Sequence, residues 1–548
     1  MTAPYQQIVS DLRQAFPKPV SDRVHDAYFV FSFLRALDQV DAMKSVLPLL
    51  GKPVQIDYAA ARQSRIEEQP QALEQVTTRL VEYLSGMFIW GHPRSQVNVV
   101  PSPTIPSIIG SLLPSIYNPN LVSEESSQRV ALAEVEAASI SAHLVGYEPD
   151  KSAGVFTFGG TGTTLYGAKI GLEKACPGTM QSGLKEPAHI VCSERAHYAG
   201  RTVAGWLGLG FDAVVEVPAD RDNEVRTCLL ETMCRDILKQ GRKIAAIIAT
   251  MGTTDAFGVD DLHEICAIRD RLVDEFTLEY KPHIHADAVI GWAWSVFNDY
   301  DFDKNPLGFR GRTLRALAGV RRRMQHLGLA DSIGIDFHKT GFAPYISSLF
   351  LARDQGDLSR LARSPQAMPY LFQSGEYHPG QFTLETSRAG NGPMAALANL
   401  LLFGKNGLRS LLGHLVSMAE TLREQLEAHS ATHVLNNGNF GPVTLFRVYP
   451  DGVDTFRYPE REQTDLACRE KVREYNAYNR RIFEAVQAEA VQGRGVVISM
   501  TDCYRETDYG EPVAALKSYI MSPFSEEQSV SYVLESLWKA RNAVAQKL

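Results

Sequence analysis

The sequence has no run approaching the ~18 uninterrupted apolar residues of a membrane-spanning helix. It also has no internal repeat and no low-complexity segment. Its seven cysteines, Cys176, Cys192, Cys228, Cys234, Cys266, Cys468 and Cys503, are odd in number and include no CxxC pair. A disulfide framework and a zinc knuckle are therefore poorly supported, and a reducing compartment fits. The opening stretch MTAPYQQIVSDLRQAF lacks a basic start followed by an apolar run, so it does not read as a secretory signal, and the expected location is cytoplasmic. A strong charge of either sign is also missing. The formal net charge of -8 over 548 residues is mild and offers no basic face for nucleic acid. What remains is a chain with 45% hydrophobic and 22% charged residues, long enough for two or three globular domains.

Three regions are expected. Residues 1–114 read as a helical arm, with apolar residues at helical spacing in 24–40 and 73–88. The proline-punctuated stretch 92–107 reads as a surface or interface loop. From 115 to 394, short apolar runs (189–193, 243–250, 283–291, 332–336 and 348–353) alternate with helical stretches. Such runs suit strands buried on both faces of a mainly parallel sheet, which binds its ligands at the strands' carboxyl ends. Residues 395–548 start helical at 394–404 and 411–429, add apolar runs at 442–449 and 495–500, and end in a helix near 525–546. That pattern gives a smaller α/β domain.

The polar residues that end these runs carry the chemistry. In DSIGIDFHKTGFAPY (331–345) an apolar run closes on Asp336, and His338 and Lys339 follow. A lysine that forms a Schiff base sits at such a strand end, where burial and neighbours are expected to lower its pKa. A solvated loop lysine is the bland alternative. In VFTFGGTGTTLYGAKIGLEKA (155–175) a short run leads through Gly159 and Gly160 to Thr161, Gly162, Thr163 and Thr164, then to a helix. That arrangement offers N–H groups and hydroxyls to a phosphate; it would equally make a glycine turn with a threonine cap. The segment has neither GK[ST] nor GxGxxG, so no nucleotide is required. In HIHADAVIG (283–291), Asp287 would be a buried carboxylate needing a partner, such as a protonated pyridine nitrogen. His285 reads as a core histidine. His197 in SERAHYAG (193–200) could stack on an aromatic cofactor, and Thr254 and Asp260 lie at another strand end.

Taken in this order, the motifs resemble those of the fold-type I, group II pyridoxal-5′-phosphate (PLP) amino-acid decarboxylases, from about residue 90 onward. GHPR (91–94) is similar to the start of the active-site-lining loop of glutamate-type members, and YNPNLVSEESS (117–127) to a segment of bacterial tyrosine decarboxylases. The overall likeness is greatest to a bacterial group proposed to act on aspartate. The resemblance implies a large domain with a seven-stranded, mainly parallel sheet, a small C-terminal α/β domain, PLP as cofactor, and a homodimer with interfacial active sites. It casts Lys339 as the Schiff-base lysine, His338 as a phosphate-side residue, Asp287 as the pyridine-nitrogen partner and His197 as the stacking residue. Gly160, Thr161, Gly162, Thr163 and Thr164 become the phosphate turn, with Thr254 among the supporting polar groups.

The same resemblance puts Tyr377, with His378 as fallback, on a mobile loop (370–383) as Cα proton donor. An ordinary surface loop is the alternative. Arg94 and Lys517 are cast as substrate-binding residues, Lys517 standing where relatives carry an arginine. Arg388 is a further basic candidate, equally at home in a structural ion pair. DFHK replaces the NPHK frequent in relatives, so the role of Asp336 is open. The expected reaction is decarboxylation of an L-amino acid, aspartate first and glutamate second. Tyrosine is the alternative, with 106–117 lining an apolar slot. Other PLP outcomes at Cα, such as aldehyde synthesis or C–C cleavage, also stay open.

Overall fold

The computed structural model describes residues 4–45, 47–369, 371–492 and 494–546. Twelve strands form two sheets: β1 (Ser95–Gln96), β2 (Ala153–Thr157), β3 (Ala188–Ser193), β4 (Val214–Val217), β5 (Lys243–Thr250), β6 (His283–Asp287), β7 (Ser332–Asp336), β8 (Ser348–Ala352), β9 (Thr432–Val434), β10 (Val443–Val448), β11 (Val497–Glu506) and β12 (Pro512–Tyr519). The seven-stranded sheet has the order β2-β8-β7-β6-β5-β3-β4. Pairing is parallel through β7, β6, β5, β3 and β4, and antiparallel where β8 lies between β7 and β2. This is the fold-type I architecture expected from the alternating runs. Every residue of β3, β6, β7 and β8 is buried, as strands covered on both faces must be.

Because β8 runs against both neighbours, the carboxyl ends of β2, β3, β5, β6 and β7 and the start of β8 all meet at one edge of the sheet. That edge positions the site. Helix Gly160–Ala175 starts there and lies back across β5, β6 and β7.

The five-stranded sheet has the order β1-β11-β12-β10-β9. β1 comes from the proline-punctuated stretch and pairs in parallel with β11, Ser95 opposite Val497. Ser95 and Gln96 are buried, and Ser518 Oγ donates to Gln96 Oε1 at 2.6 Å. So 92–107 is not a plain loop. Its prolines fall outside the two-residue strand, and Pro106 lies in the first turn of helix Ile105–Tyr117, where a missing N–H costs nothing. The two helices expected between 394 and 429 are present within Asn391–Glu427 and meet at a kink where Gly404 has non-helical backbone (φ 53°, ψ -170°). Among the described residues no helix is long and apolar enough to cross a membrane, and all seven cysteines are free.

Candidate active site

Asp336 ends β7 and is 1% exposed. Its carboxylate gathers four neighbours. Lys339 Nζ lies 2.9 Å from Oδ2 and His338 Nε2 lies 3.4 Å from the same oxygen. Ser348 Oγ, at the start of β8 and directly opposite Asp336 in register, donates to Oδ1 at 2.6 Å. Gly160, which opens the helix after β2, comes so close that a Cβ there would stand 2.9 Å from Oδ2. Gly159, the residue before it, has φ +121°, a conformation that side-chain-bearing residues rarely adopt.

Burial works to lower the pKa of Lys339, but Asp336 more than offsets this and holds it above the ordinary lysine value. That corrects the expectation of a lowered lysine pKa: the near carboxylate outweighs desolvation.

Asp287 ends β6, and its Oδ1 is buried with no hydrogen-bond partner. Burial raises its pKa, against the opposing fields of Lys339 and His197. His197 follows β3, and its Nδ1 accepts from Ala199 N–H at 3.1 Å. Its pKa is lowered by burial despite the nearby Asp287, so the ring is neutral. A proton on Nε2 is then the tautomer that fits. Thr250 lies opposite Asp287 across the β5–β6 pair, and its Oγ1 is also buried without a partner. Leaving such atoms unpaired costs about 1–3 kcal/mol each, more for a charge. A ligand with a ring N–H would satisfy Asp287.

The threonines of the glycine turn divide. Thr161 is exposed, whereas Thr163 Oγ1 donates to Gly160 O at 2.7 Å and Thr164 Oγ1 to the same carbonyl at 3.3 Å. Both inner hydroxyl protons are thus spent within the helix's first turn. Gly162 N–H is also spent, on Gly159 O at 2.8 Å, so the backbone N–H groups of Gly160 and Thr161 remain the main anion donors this helix start offers. Asp260 is structural: its two oxygens accept from Val225 N and Thr250 N, both at 2.7 Å, and burial pushes it up to about 6. His285 is a core residue, bonded through Nδ1 to Ser332 Oγ at 2.9 Å, with burial pushing it down to about 3.

Other candidates lie with different partners. The Tyr377 hydroxyl donates to Glu134 Oε2 at 2.9 Å, inside a buried ion pair between Glu134 and Arg388. Its loop is tied down as well. Glu125 accepts from the N–H groups of Phe372, Gln373 and Ser374, and Glu124 from those of Glu376 and Tyr377. Tyr370, the first residue of that loop, lies outside the described residues. His378 Nε2 lies 3.1 Å from Gly375 O. The Arg94 guanidinium stacks 4.4 Å over the Tyr532 ring. Lys517 Nζ pairs with Asp255 Oδ1 at 2.8 Å, next to half-buried Thr254 in the loop after β5. Sequence reasoning missed Ser348, Thr250 and Tyr345. The Tyr345 ring packs 4.2 Å from that of His338, six residues past the lysine; only its position in the DFHK segment could have flagged it.

A model of the pyridoxal-dependent decarboxylase conserved domain matches residues 57–299. Over that segment the chain is similar to this family. An L-2,4-diaminobutyrate decarboxylase of Acinetobacter baumannii is 25% identical over 411 residues, 71% of this chain and 74% of that protein. An aspartate 1-decarboxylase of Aliivibrio fischeri is 28% identical over 258 residues, 44% of this chain and 42% of that protein. Among solved structures, the glutamate decarboxylase domain of a diaminobutyrate-pyruvate transaminase and L-2,4-diaminobutyrate decarboxylase from Vibrio parahaemolyticus superposes with a TM-score of 0.72. It covers 100% of both chains at 18% identity. The pyridoxal-dependent decarboxylase described here therefore takes PLP as its cofactor, and the residues at the sheet edge fit that group. Asp287 offers an unpaired buried acceptor, the Gly159–Gly160 turn a cradle without side chains, and Lys339 an amine between them.

Proposed function

We propose that this enzyme removes the α-carboxylate of an L-amino acid as CO₂ and releases the corresponding amine, with Lys339 carrying the cofactor. The observation that carries the site assignment is the orphaned Asp287 oxygen, buried at the end of β6 within the field of Lys339. When bound, the cofactor's protonated ring draws off the electron pair left by the departing CO₂. Asp287 keeps that ring nitrogen protonated, since a buried carboxylate with one unpartnered oxygen favours a proton beside it. His197, neutral and near Asp287, covers one ring face. The helix start at Gly160–Thr164 and His338 hold the phosphate, and Thr254 borders the same edge. Lys339 is the amine that the substrate's amino group displaces. The test is a panel of amino acids scored by CO₂ release and amine identity; formation of an aldehyde or keto acid as main product overturns the reading.

For the substrate we propose a small acidic amino acid, aspartate before glutamate. Of the three basic candidates, Arg388 is bound to Glu134 and Arg94 is stacked on Tyr532. Lys517 is left, with a partner that a substrate carboxylate could replace, because Asp255 is 45% exposed. That same exposed carboxylate supports a second reading, a substrate with a side-chain ammonium such as 2,4-diaminobutyrate. Tyrosine stays a further alternative, with Ile108, Ile109 and Leu113 of 106–117 as apolar side chains exposed on the single chain. Comparing kcat/KM for aspartate, glutamate, 2,4-diaminobutyrate and tyrosine decides. A clear preference for either of the last two removes the acidic assignment.

We also propose that the working form is a homodimer, which would cover those exposed apolar side chains. A single monomeric species by sedimentation would exclude it.

A further inference from the structure

The turn that receives the cofactor's phosphate also faces a carboxylate. Asp336 Oδ2 is close enough to Gly160 to leave no room for a methyl group. In the cofactor-free chain this charge is answered by Lys339 at 2.9 Å. Loading changes both sides of that balance. Lys339 and the aldehyde give a protonated C=N linkage and water with no net proton, and Nζ is then committed to the cofactor. A phosphate monoester, fully dianionic above its second pKa of about 6, arrives at the turn. Asp336 then shares the one cationic linkage with the phosphate, and its other neighbours are neutral Ser348 and His338, 3.4 Å away. We propose that Asp336 is a positioning residue that links cofactor loading to proton uptake, with one proton taken up by the Asp336–His338 pair as the phosphate binds.

The remaining titratable groups that face Asp336 are Asp287 on β6, His197 after β3, and Tyr345 beyond the lysine turn. None of them adds a second cation to answer the phosphate: Asp287 and Tyr345 are acids, and burial pushes His197 down. His338 is likewise pushed down by burial while Asp336 pulls it up, so it is the group poised to gain a proton when a second anion comes near. A dianion against an unprotonated Asp336 would instead place three negative charges in one buried corner.

This inference rests on the reading that the phosphate lies on the Gly159–Gly160 turn, and the test separates the two. The full-length chain, stripped of cofactor, is titrated with pyridoxal 5′-phosphate and with pyridoxal in a calorimeter. Two buffers of different ionisation heat are used at pH 8. Both ligands form the same linkage, so the difference in proton uptake belongs to the phosphate. The expected difference is about one proton. The affinity advantage of pyridoxal 5′-phosphate should also fall by up to about tenfold per pH unit between pH 7 and 9. In Asp336→Asn the difference should vanish, and binding at pH 9 should be tighter than in the wild type. A zero difference in the wild type overturns the proposal by itself, even if the variant does not fold. An unchanged difference in Asp336→Asn overturns it too, because the proton then goes elsewhere. No affinity gain from the phosphate in either protein would instead reject the turn as the phosphate site, and the proposal with it.

Discussion

Two buried carboxylates of this enzyme make opposite use of their surroundings. Glu134 is 0% exposed and fully answered: Arg388 pairs with it, Phe156 N–H donates to it at 2.8 Å, and so does the Tyr377 hydroxyl. Arg388 in turn donates to Phe156 O and Leu121 O. The network clamps the end of β2, just before the glycine turn, to the loop at 371–383. Asp287, on the same sheet, keeps an oxygen with no partner. The structural carboxylate has its hydrogen bonds closed within the chain, although Arg388 Nε beside it is buried without a partner. A binding site leaves one open and bears the cost until a ligand arrives.

The comparison can be broken most severely at Lys339. Lys339→Ala should abolish both turnover and the borohydride-reducible cofactor linkage, and a different lysine found carrying the reduced cofactor would move the site. Asp287→Asn should lower kcat by about 10²–10³, the scale for losing one preorganised electrostatic group. Its melting temperature without cofactor should stay level or rise, because the variant removes an unpaired buried charge. Glu134→Gln should do the reverse, costing roughly 3–5 kcal/mol of stability by stranding Arg388. Equal stability losses in these two variants would erase the distinction between the sites. Tyr377→Phe should cost about 1.5–3 kcal/mol, one hydrogen bond to a charged group, and leave kcat unchanged. A large fall in kcat without loss of stability would restore Tyr377 as proton donor. The last effect is spread over a range of pH and concerns His285. Its folded-state pKa of about 3 lies below the unfolded value near 6.5, so the unfolded chain binds more protons between those limits. Stability is therefore lost as pH falls below 6.5, by up to about 1.4 kcal/mol per pH unit from this residue. His285→Gln should flatten the decline in melting temperature between pH 6.5 and 4.5.

The parts of this design that were legible in sequence are those written in consecutive residues. The runs at 243–250 and 332–336 are strands to the residue, and Asp287, His338 and Lys339 stand at strand ends as their positions implied. The hidden parts depend on register between distant segments. Ser348 reaches Asp336 only because β8 returns antiparallel to β7, and Thr250 meets Asp287 only through the β5–β6 pairing. Tyr377 and Arg388 share Glu134, which is more than 240 positions away from each, so no local pattern could show that they belong to one ion-pair network rather than to the cofactor. The lysine pKa was misjudged for the same reason: burial could be read from an apolar run, but the 2.9 Å approach of Asp336 could not.

The parallel pairing of β1 with β11 has a consequence for how the chain is made. Ser499 Oγ donates to Val97 O across 402 positions, and Ser518 reaches Gln96 across 422. On a ribosome adding roughly 5–20 residues per second, the segment around β1 would wait on the order of 20–80 s for its partner strand. Through that interval the seven-stranded sheet can be completed, since its last strand ends at Ala352. The smaller sheet must close afterwards, as a late seal between segments that lie 402 positions apart.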